Sequence, residues 1–373
     1  MNHRERFMAA LSHRQPDRVP IDLASTRDSS IVVAGYERMK AYFGVKDDNI
    51  LTSRMMQVVD VDEKILRALD VDARGIFPSG IPDIITGARS YRDEWGVERV
   101  MPEGSLYYDI VAFPLAGDIT VSEIARYPWP DPDAAIRRMG LKERAKQIHS
   151  AGYAAVLNLP SAFVHTSQYL RGFEDWFVDI AADPKLAAAL YDAVLDVSMA
   201  MCRTMLDEVG QDVDVVMASD DLGLQDSLMI SPTVYRTLIK PRHRRYVQLM
   251  HDMSPAKVFF HTCGSVADII EDLIEIGVDV LNPVQVTAAG MDPKGLKARY
   301  GDRLAFWGAI DTQGVLPNGS TKDVEAEVER RIEELGRGGG YVVSAVHNLQ
   351  PDVPLENILA MYKHAREYVP SFK

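Results

Sequence analysis

The chain has 373 residues, of which 47% are hydrophobic and 25% are charged, a balance typical of a globular protein with a large core. Its formal net charge of −13 at pH 7 argues against nucleic acid as a partner, and its two cysteines are too few for a disulfide framework. Met1–Pro20 lacks the apolar core of a secretory signal, and no apolar run approaches the ~20 residues of a membrane span. We therefore expect a cytoplasmic protein that makes no membrane contact.

Short β-branched runs alternate with longer helical patterns along the chain. Most of the runs are continuously apolar, as expected for parallel strands that are covered on both faces. The predicted strands are Val19–Ala24, Ala73–Pro78, Tyr153–Pro160, Val213–Asp221, Lys257–Cys263, Val278–Gln285, Leu304–Asp311 and Tyr341–His347. This α/β alternation predicts a (β/α)8 TIM barrel as a single domain over residues 1–373, with a doubly wound sheet as the alternative.

A long segment between the second and third predicted strands interrupts the alternation. Its first part, Tyr91–Ile110, is typical of a hairpin or a small antiparallel sheet. The Pro-rich YPWPDPDA that follows predicts a loop, with Trp129 packing over the barrel. Later in the chain, helices are predicted over Val266–Ile276 and Thr321–Leu335, the second between a Ser/Thr start and a glycine stop.

Polar residues end several of the apolar strands. In a barrel, the carboxyl ends of the strands surround the active site, so these residues are candidates for its chemistry. They are Asp22, Asp220, Asp221, His261, Cys263, Gln285, Asp311, and His347 with Asn348. An aspartate after a strand is also a common helix N-cap, and for Asp311 both interpretations stay open.

The segment KVFFHTCG, Lys257–Gly264, carries the strongest of these signals. Strand residues two apart point to the same side, so His261 and Cys263 emerge together at a strand end. Together with His347, which ends the last strand, they make a His-Cys-His set that suits Zn²⁺ with one open position. The alternative is a core cysteine beside a hydrogen-bonded histidine.

Further polar residues are predicted to surround that centre. Asp220 and Asp221 are candidates for metal neighbours or proton carriers in the cleft. Arg27, after the first strand, is positioned to hold an anionic substrate group, unless it is a surface charge. Predicted substrate contacts are Arg27, His165, Gln285 and Asp311. The RHRR run at Arg242–Arg245 is interpreted as a solvated helix face or a salt-bridge cluster.

These motifs together resemble the uroporphyrinogen decarboxylase superfamily, and within it the zinc-dependent, corrinoid-linked methyltransferases. The segments that carry the resemblance are RERFMAALSHRQPDRVPID, DEWGV, SDDLGLQDSLMISPTVYRTLIKPRH, FFHTCGSV, VDVLNPVQ, FWGAIDTQGVLP and VHNLQPDVPLENI. They extend over nearly the whole chain. The resemblance implies a TIM barrel and is compatible with a homodimer.

The two branches of that superfamily differ in their motifs. Uroporphyrinogen decarboxylases carry an arginine-rich RQAGRY-type segment, whereas this chain reads ASTRDSS there and keeps only Arg27. The methyltransferase branch has an H-x-C, matched by His261 and Cys263, and a third ligand that is commonly cysteine. The equivalent position here is His347. One thiolate ligand in place of two should make the metal a stronger Lewis acid.

The resemblance implies methyl transfer between a small substrate and a corrinoid. No DxHxxG cobalamin-binding motif occurs in the chain, so the corrinoid is expected on a partner protein. The stronger Lewis acid favours O-demethylation of a methoxylated, for instance aromatic, methyl donor. The alternatives are a methylcorrinoid:thiol methyltransferase, a uroporphyrinogen-type decarboxylase of a carboxylated substrate, and a non-enzymatic barrel with a structural metal.

Overall fold

The main sheet is built from parallel strands, in a computed structural model that describes residues 1–372. The strands of this part of the chain are β1 (Leu51–Ser53), β2 (Val58–Val59), β3 (Ala73–Ile76), β4 (Ile84–Gly87), β5 (Ser90–Arg92), β6 (Glu98–Val100), β7 (Asp109–Ala112), β8 (Ala154–Asn158), β9 (Val215–Ser219), β10 (Lys257–His261), β11 (Val280–Asn282), β12 (Ala305–Ile310) and β13 (Tyr341–Ala345). The main sheet has the order β3-β8-β9-β10-β11-β12-β13 with all neighbours parallel. Seven of the eight predicted strands are therefore present in it.

The first predicted strand, Val19–Ala24, closes the barrel with a single parallel bridge at Ile21. On one side, the Asp22 N–H donates to Val343 O at 2.9 Å; on the other, the Asp72 N–H donates to Ile21 O at 2.9 Å. The Ile21 N–H donates to the Asp72 side chain instead of a strand backbone, so the ladder stops there. The prediction of a (β/α)8 TIM barrel is confirmed, although the strand predicted over Val19–Ala24 is reduced to a single bridge.

The helices surround this sheet. They are α1 (His3–Leu11), α2 (Val33–Phe43), α3 (Glu63–Ala68), α4 (Val121–Arg126), α5 (Leu141–Ser150), α6 (Val164–Arg171), α7 (Phe173–Ala182), α8 (Pro184–Val209), α9 (Pro232–Val234), α10 (Lys240–Met253), α11 (Ile270–Glu275), α12 (Pro293–Tyr300), α13 (Val315–Asn318), α14 (Thr321–Leu335) and α15 (Leu355–Glu367). The predicted helix Thr321–Leu335 matches α14, which Ser320 caps through a capping box with Asp323. The predicted helix Val266–Ile276 begins instead as a 3-10 turn, Ala267–Ile269, before α11.

The strands are apolar on both faces because each face packs against a different core. Val215 and Phe259 point into the barrel interior, where Trp307 also lies. Val216 and Phe260 point outwards to the helices. Two-sided burial explains why the sequence pattern of these strands is continuous and not alternating.

The inserted segment forms a four-stranded antiparallel sheet of β4 to β7. The turn between β5 and β6 is fixed by Asp93, whose Oδ1 accepts the N–H groups of Trp95 and Val97 at 3.0 Å each. This confirms the small antiparallel sheet predicted over Tyr91–Ile110. Trp129 packs edge-to-face on Tyr127 at 4.9 Å, and both partly cover the core.

The RHRR run lies on α10 and forms salt bridges on the surface. Arg242 and Arg245 pair with Asp192, and Arg244 pairs with Glu275, as the salt-bridge interpretation predicts. His243 differs from its neighbours because it is fully buried. No helix within residues 1–372 is both long enough and apolar enough to cross a membrane.

The amino-terminal end of the barrel is held by a buried carboxylate, Asp72, which is 0% exposed. It accepts hydrogen bonds from His3 Nδ1 at 2.8 Å, Arg6 Nη1 at 2.8 Å and Arg18 Nη1 at 2.7 Å. Burial opposes its charge, but the His3 hydrogen bond, the Arg18 charge, the Ile21 N–H and Arg6 together lower the pKa of Asp72.

Because the pKa of Asp72 is lower in the folded state, we expect its contribution to stability to be present above about pH 4 and lost as the pH falls further. An Asp72→Asn variant keeps the shape but not the charge, and should lose about 1–3 kcal/mol at pH 7 and part of this acid sensitivity. Urea unfolding between pH 3 and 7 measures both, with the exposed Asp47→Asn as the control. Parallel pH curves for wild type and Asp72→Asn would contradict the assignment.

Candidate metal centre

Three residues from two strand ends converge at the carboxyl end of the barrel. His261 is the last residue of β10, Cys263 follows two residues later, and His347 follows β13. One ligand atom from each lies within 4.8 Å of the other two, and Cys263 Sγ is 3.3 Å from His261 Nε2. The structure therefore brings together the three residues that the sequence singles out as metal ligands.

A buried amide fixes the orientation of the His261 ring. Asn282 Nδ2 donates to Trp307 O at 3.1 Å, which leaves Asn282 Oδ1 to accept from His261 Nδ1 at 2.6 Å. With its proton on Nδ1, His261 presents the lone pair of Nε2 towards Cys263 and His347. Metal-binding histidines are usually held in this way by a carbonyl or carboxylate on the other ring nitrogen.

The surroundings affect protonation of the other two residues in opposite directions. Burial, followed by the neighbouring His261, lowers the pKa of His347, which favours the neutral imidazole that binds metals. Burial, followed by the carboxylates of Asp221 and Asp28, raises the pKa of Cys263. Metal binding at this site would therefore displace the thiol proton.

The donor set fits a zinc ion. Zinc–nitrogen and zinc–sulfur bonds of about 2.0–2.3 Å place tetrahedral ligand atoms roughly 3.5 Å apart. The 3.3 Å separation of Cys263 Sγ and His261 Nε2 matches that spacing. The cluster has three members among residues 1–372, the number typical of a catalytic zinc with an open position.

Asp221 lies beside this cluster, in the cleft. Its Oδ1 accepts the Cys263 N–H at 2.8 Å and is 3.7 Å from His261 Nε2. Its Oδ2 accepts from His165 Nε2 at 3.3 Å. Burial opposes its ionisation, but the hydrogen bond and charge of His165, the neighbouring His261 and the Cys263 N–H together lower the pKa of Asp221.

Asp220 points away from the cleft and is 0% exposed. Its carboxylate accepts the N–H groups of Phe163 and Val164 at 3.0 Å and of His165 at 3.1 Å, at the start of α6. It also lies 3.0 Å from His243 Nε2. These contacts serve the start of α6 and the buried His243, and the role of Asp220 as a metal neighbour or proton carrier stays a prediction.

Two residues predicted to contact substrate, Asp311 and Gln285, accept hydrogen bonds from nearby backbone groups. Asp311 accepts the N–H groups of Gln313, Gly314 and Val315 at 2.8–3.1 Å, which is the helix-cap alternative. Gln285 Oε1 accepts the Gly264 N–H at 2.8 Å and so braces the loop after Cys263. Neither side chain lines the cavity at the metal centre.

A cavity of about 240 Å³, here called the site cavity, opens at the cluster. Its lining includes His261, His347, Asp221, Arg27 and His165, so the structure brings these predicted residues together. The His165 ring is stacked on Tyr169 at 6.0 Å. The lining is polar on the side of the cluster and carries two cationic groups, Arg27 and His165. Burial opposes the charge of His165, but Tyr169, Asp221 and Asp220 raise the pKa of His165 well above its ordinary value.

Three further residues shape this site and were not predicted from the sequence. Asp28 lines the site cavity, with Oδ2 3.7 Å from His261 Nδ1. Asn282 orients His261, and Asn158 Oδ1 accepts the Arg27 N–H at 3.0 Å. Both asparagines end the observed strands β8 and β11, but the predicted strands continue to Pro160 and Gln285, so the two amides lie inside them. Asp28 gives no signal beyond its place next to Arg27.

We expect an Asn282→Ala variant to bind zinc about 10–100-fold more weakly, because His261 loses the partner that holds its ring. Competition against a chromophoric zinc chelator measures the affinity. Asn158→Ala is the matched control, since it removes a buried strand-end amide that does not contact a proposed ligand. Equal zinc affinities for the two variants would show that Asn282 has no role in orienting His261.

Comparison with known proteins places this geometry in context. Residues 152–368 match the family model described as Uroporphyrinogen decarboxylase (URO-D). The chain is 25% identical to a uroporphyrinogen decarboxylase of Methylococcus capsulatus over 74% of this chain and 75% of that protein. It is 23% identical to that of Pseudoalteromonas atlantica over 98% of each. A solved methyltransferase from Methanosarcina mazei superposes with a TM-score of 0.68 at 18% identity over 98% of this chain and 99% of that one, which shows a shared fold.

Proposed function

The chain belongs to the uroporphyrinogen decarboxylase family, and on this premise we propose that it is a zinc-dependent methyltransferase. Its substrate would be a small methoxylated molecule, and its acceptor a corrinoid carried by a partner protein. The observation that carries the proposal is the convergence of His261, Cys263 and His347 within 4.8 Å at the mouth of a barrel. Family membership itself implies an enzyme.

The chemistry of the donors supports the zinc. His261, Cys263 and His347 would hold the ion, and Asn282 would keep His261 in the correct tautomer. When bound, zinc would supply Lewis-acid polarisation of the ether oxygen, so that an alkoxide or phenoxide departs more readily. A single thiolate leaves that Lewis acidity higher than two thiolates would.

The remaining residues of the site cavity have binding and positioning roles in this proposal. Asp221 accepts the Cys263 N–H and contacts His165. It therefore links the metal cluster to the wall of the site cavity. His165 and Tyr169 offer a stacked pair of rings for contact with substrate. The site cavity, about 240 Å³, suits a small molecule better than a macrocycle.

A decarboxylase is the second candidate, because the curated relatives carry that name. This reaction would use cations around the cavity and no metal. Arg27 and His165 are the cationic groups that line the site cavity, and the carboxylates of Asp28 and Asp221 offset their charge, which leaves little positive charge for a substrate with many carboxylates. A third candidate is a zinc-dependent enzyme that transfers the methyl group from the corrinoid to a thiol.

The three candidates are separated by one set of assays on the purified protein. Incubation with reduced, cobalt(I) corrinoid and methoxylated compounds should yield methylated corrinoid and the free hydroxyl compound, detected by absorbance and mass spectrometry. If a thiol is methylated from methylated corrinoid while methoxy compounds do not react, methyl transfer runs from the corrinoid to the substrate, opposite to the proposal. Metal-independent release of CO₂ from a carboxylated substrate would replace the proposal with the decarboxylase.

A further inference from the structure

A second cavity lies between the inserted sheet and the helices α6 and α7. Its volume is about 420 Å³, and it is here called the aromatic chamber. Five aromatic side chains line it, namely Tyr107, Tyr108, Phe113, Tyr169 and Phe173. Small-molecule sites are typically lined by hydrophobic and aromatic side chains and have volumes of roughly 300–1,000 Å³. The aromatic chamber therefore has the size and the walls of a ligand site.

The aromatic chamber shares a wall with the site cavity. Met55, Met56 and Tyr169 line both of them. Two of these three wall residues are methionines, whose unbranched side chains have three rotatable bonds and adapt to the shape of what they contact. A ligand in the site cavity can therefore extend into the aromatic chamber by displacing the two methionine side chains.

The inserted sheet is attached to the barrel on both sides of the chamber. The Tyr108 N–H donates to Met55 O at 3.2 Å, and the Leu115 N–H donates to Leu170 O at 2.8 Å. The guanidinium carbon of Arg99 lies 4.9 Å from the centroid of the Tyr169 ring. The chamber is thus formed before a ligand binds, and a preformed site binds more tightly because less ordering is needed.

The charge of the lining disfavours an anionic ligand. Within residues 1–372, Arg99 is the single cation of the chamber, and Asp93 already pairs with it at 3.3 Å. Asp109 also lines the chamber and is exposed. An uncharged, flat group can stack on the aromatic rings and leaves no charge unpaired.

We propose that the aromatic chamber binds a second, uncharged aromatic ring of a two-ring methyl donor, whose methoxylated ring lies in the site cavity. The volumes allow this, because a cavity of about 150 Å³ already holds one benzene ring, and the two cavities have about 240 and 420 Å³. This inference rests on the proposed function for the role of the methoxy group. The aromatic chamber then selects donors with an extended aromatic body over donors with one ring.

Calorimetric titration with 4-hydroxy-4′-methoxybiphenyl and with 4-methoxyphenol, which lacks the second ring, tests the proposal. We expect the two-ring compound to bind wild-type protein at least about tenfold more tightly than the one-ring compound. A third compound, 4-(4-methoxyphenyl)cyclohexanol, has a saturated ring in place of the second aromatic ring. It should bind about fivefold more weakly than the biphenyl, because it loses the aromatic contacts but not the apolar area.

Two phenylalanines on α7 provide a matched pair of variants. Phe173 lines the aromatic chamber but not the site cavity, so Phe173→Ala should weaken binding of the two-ring compound by about fivefold and leave 4-methoxyphenol unchanged. Phe177 is exposed on the same helix and lines neither cavity, so Phe177→Ala should bind both compounds as wild type does. Phe173 is exposed as well, and thermal unfolding of both variants should therefore stay as in wild type.

Three outcomes would overturn the proposal. They are equal binding of the one-ring and two-ring compounds, binding of neither, and equal losses in Phe173→Ala and Phe177→Ala. The last would mean that the second ring lies on the surface of α7 and not in the chamber.

The proposed reaction can fail independently of this proposal, because the titrations need no corrinoid and no methyl transfer. They can be repeated on Cys263→Ala, which lacks one of the proposed zinc ligands. We expect the same preference for the two-ring compound there. If that preference is observed but wild-type protein demethylates no methoxy compound, the proposed function is removed and the chamber remains a site for an aromatic ring.

Discussion

A Cys263→Ala variant should contain no zinc, whereas the wild type should contain about one zinc per chain. Cys263 supplies the thiolate of the cluster, and two imidazoles alone are a poor tetrahedral site. We expect zinc affinity to fall by more than the roughly 10–100-fold typical of a lost outer partner. Demethylating activity should fall below detection in the same preparation. Elemental analysis of protein purified without added metal measures the first, and the corrinoid assay the second.

The chain offers a matched control in its other cysteine. Cys202 is buried on α8, with Sγ 2.9 Å from the Tyr246 hydroxyl and no proposed metal ligand among its contacts. Cys202→Ser should therefore keep both zinc and activity. A wild type without metal would exclude the zinc mechanism and favour the decarboxylase. Zinc retained in Cys263→Ala would mean that the ion binds elsewhere.

The barrel could be predicted from the sequence because its strands are covered on both faces. Two-sided burial produces continuous apolar runs such as Lys257–His261, which are easily separated from amphipathic helices. The length of the first strand could not be predicted, because its backbone hydrogen bonding ends where the Asp72 side chain accepts the Ile21 N–H. That competition is between residues about fifty positions apart and leaves no local pattern.

The metal ligands could be predicted because their signal is local. His261 and Cys263 are two residues apart at one strand end, and His347 ends the last strand. The residues that contact these ligands come from distant parts of the sequence. Asp28 reaches His261 from a loop after the closing bridge, and Asn282 reaches it from the neighbouring strand. That Arg27 lines the site cavity likewise depends on segments that meet only in the folded chain.

The pair Asp220 and Asp221 shows the limit most clearly. The residues are adjacent and chemically identical, and both follow an apolar strand, so the sequence assigns them the same role. In the structure the backbone turns one carboxylate into the cleft and the other into the protein. This difference provides a direct comparison of a site residue with a structural one.

We expect Asp220→Ala to be the most destabilising of the substitutions discussed, at about 3–5 kcal/mol. The change leaves three N–H groups at the start of α6 without their acceptor. It also removes the hydrogen-bond partner of the buried His243. His243 Nδ1 already lacks a hydrogen-bond partner within residues 1–372, so the ring has nothing else to replace Asp220. Urea unfolding at pH 7 measures the loss.

Asp221→Ala, one residue away, is the control that separates stability from activity. It removes the same carboxylate but from a half-buried position in the cleft, so it should cost clearly less stability than Asp220→Ala while reducing zinc affinity and turnover. Asp220→Asn keeps an acceptor oxygen for α6 and should recover part of the loss. If instead Asp220→Ala were as stable as Asp221→Ala, the buried carboxylate would not be what fixes α6 and His165 against the metal centre.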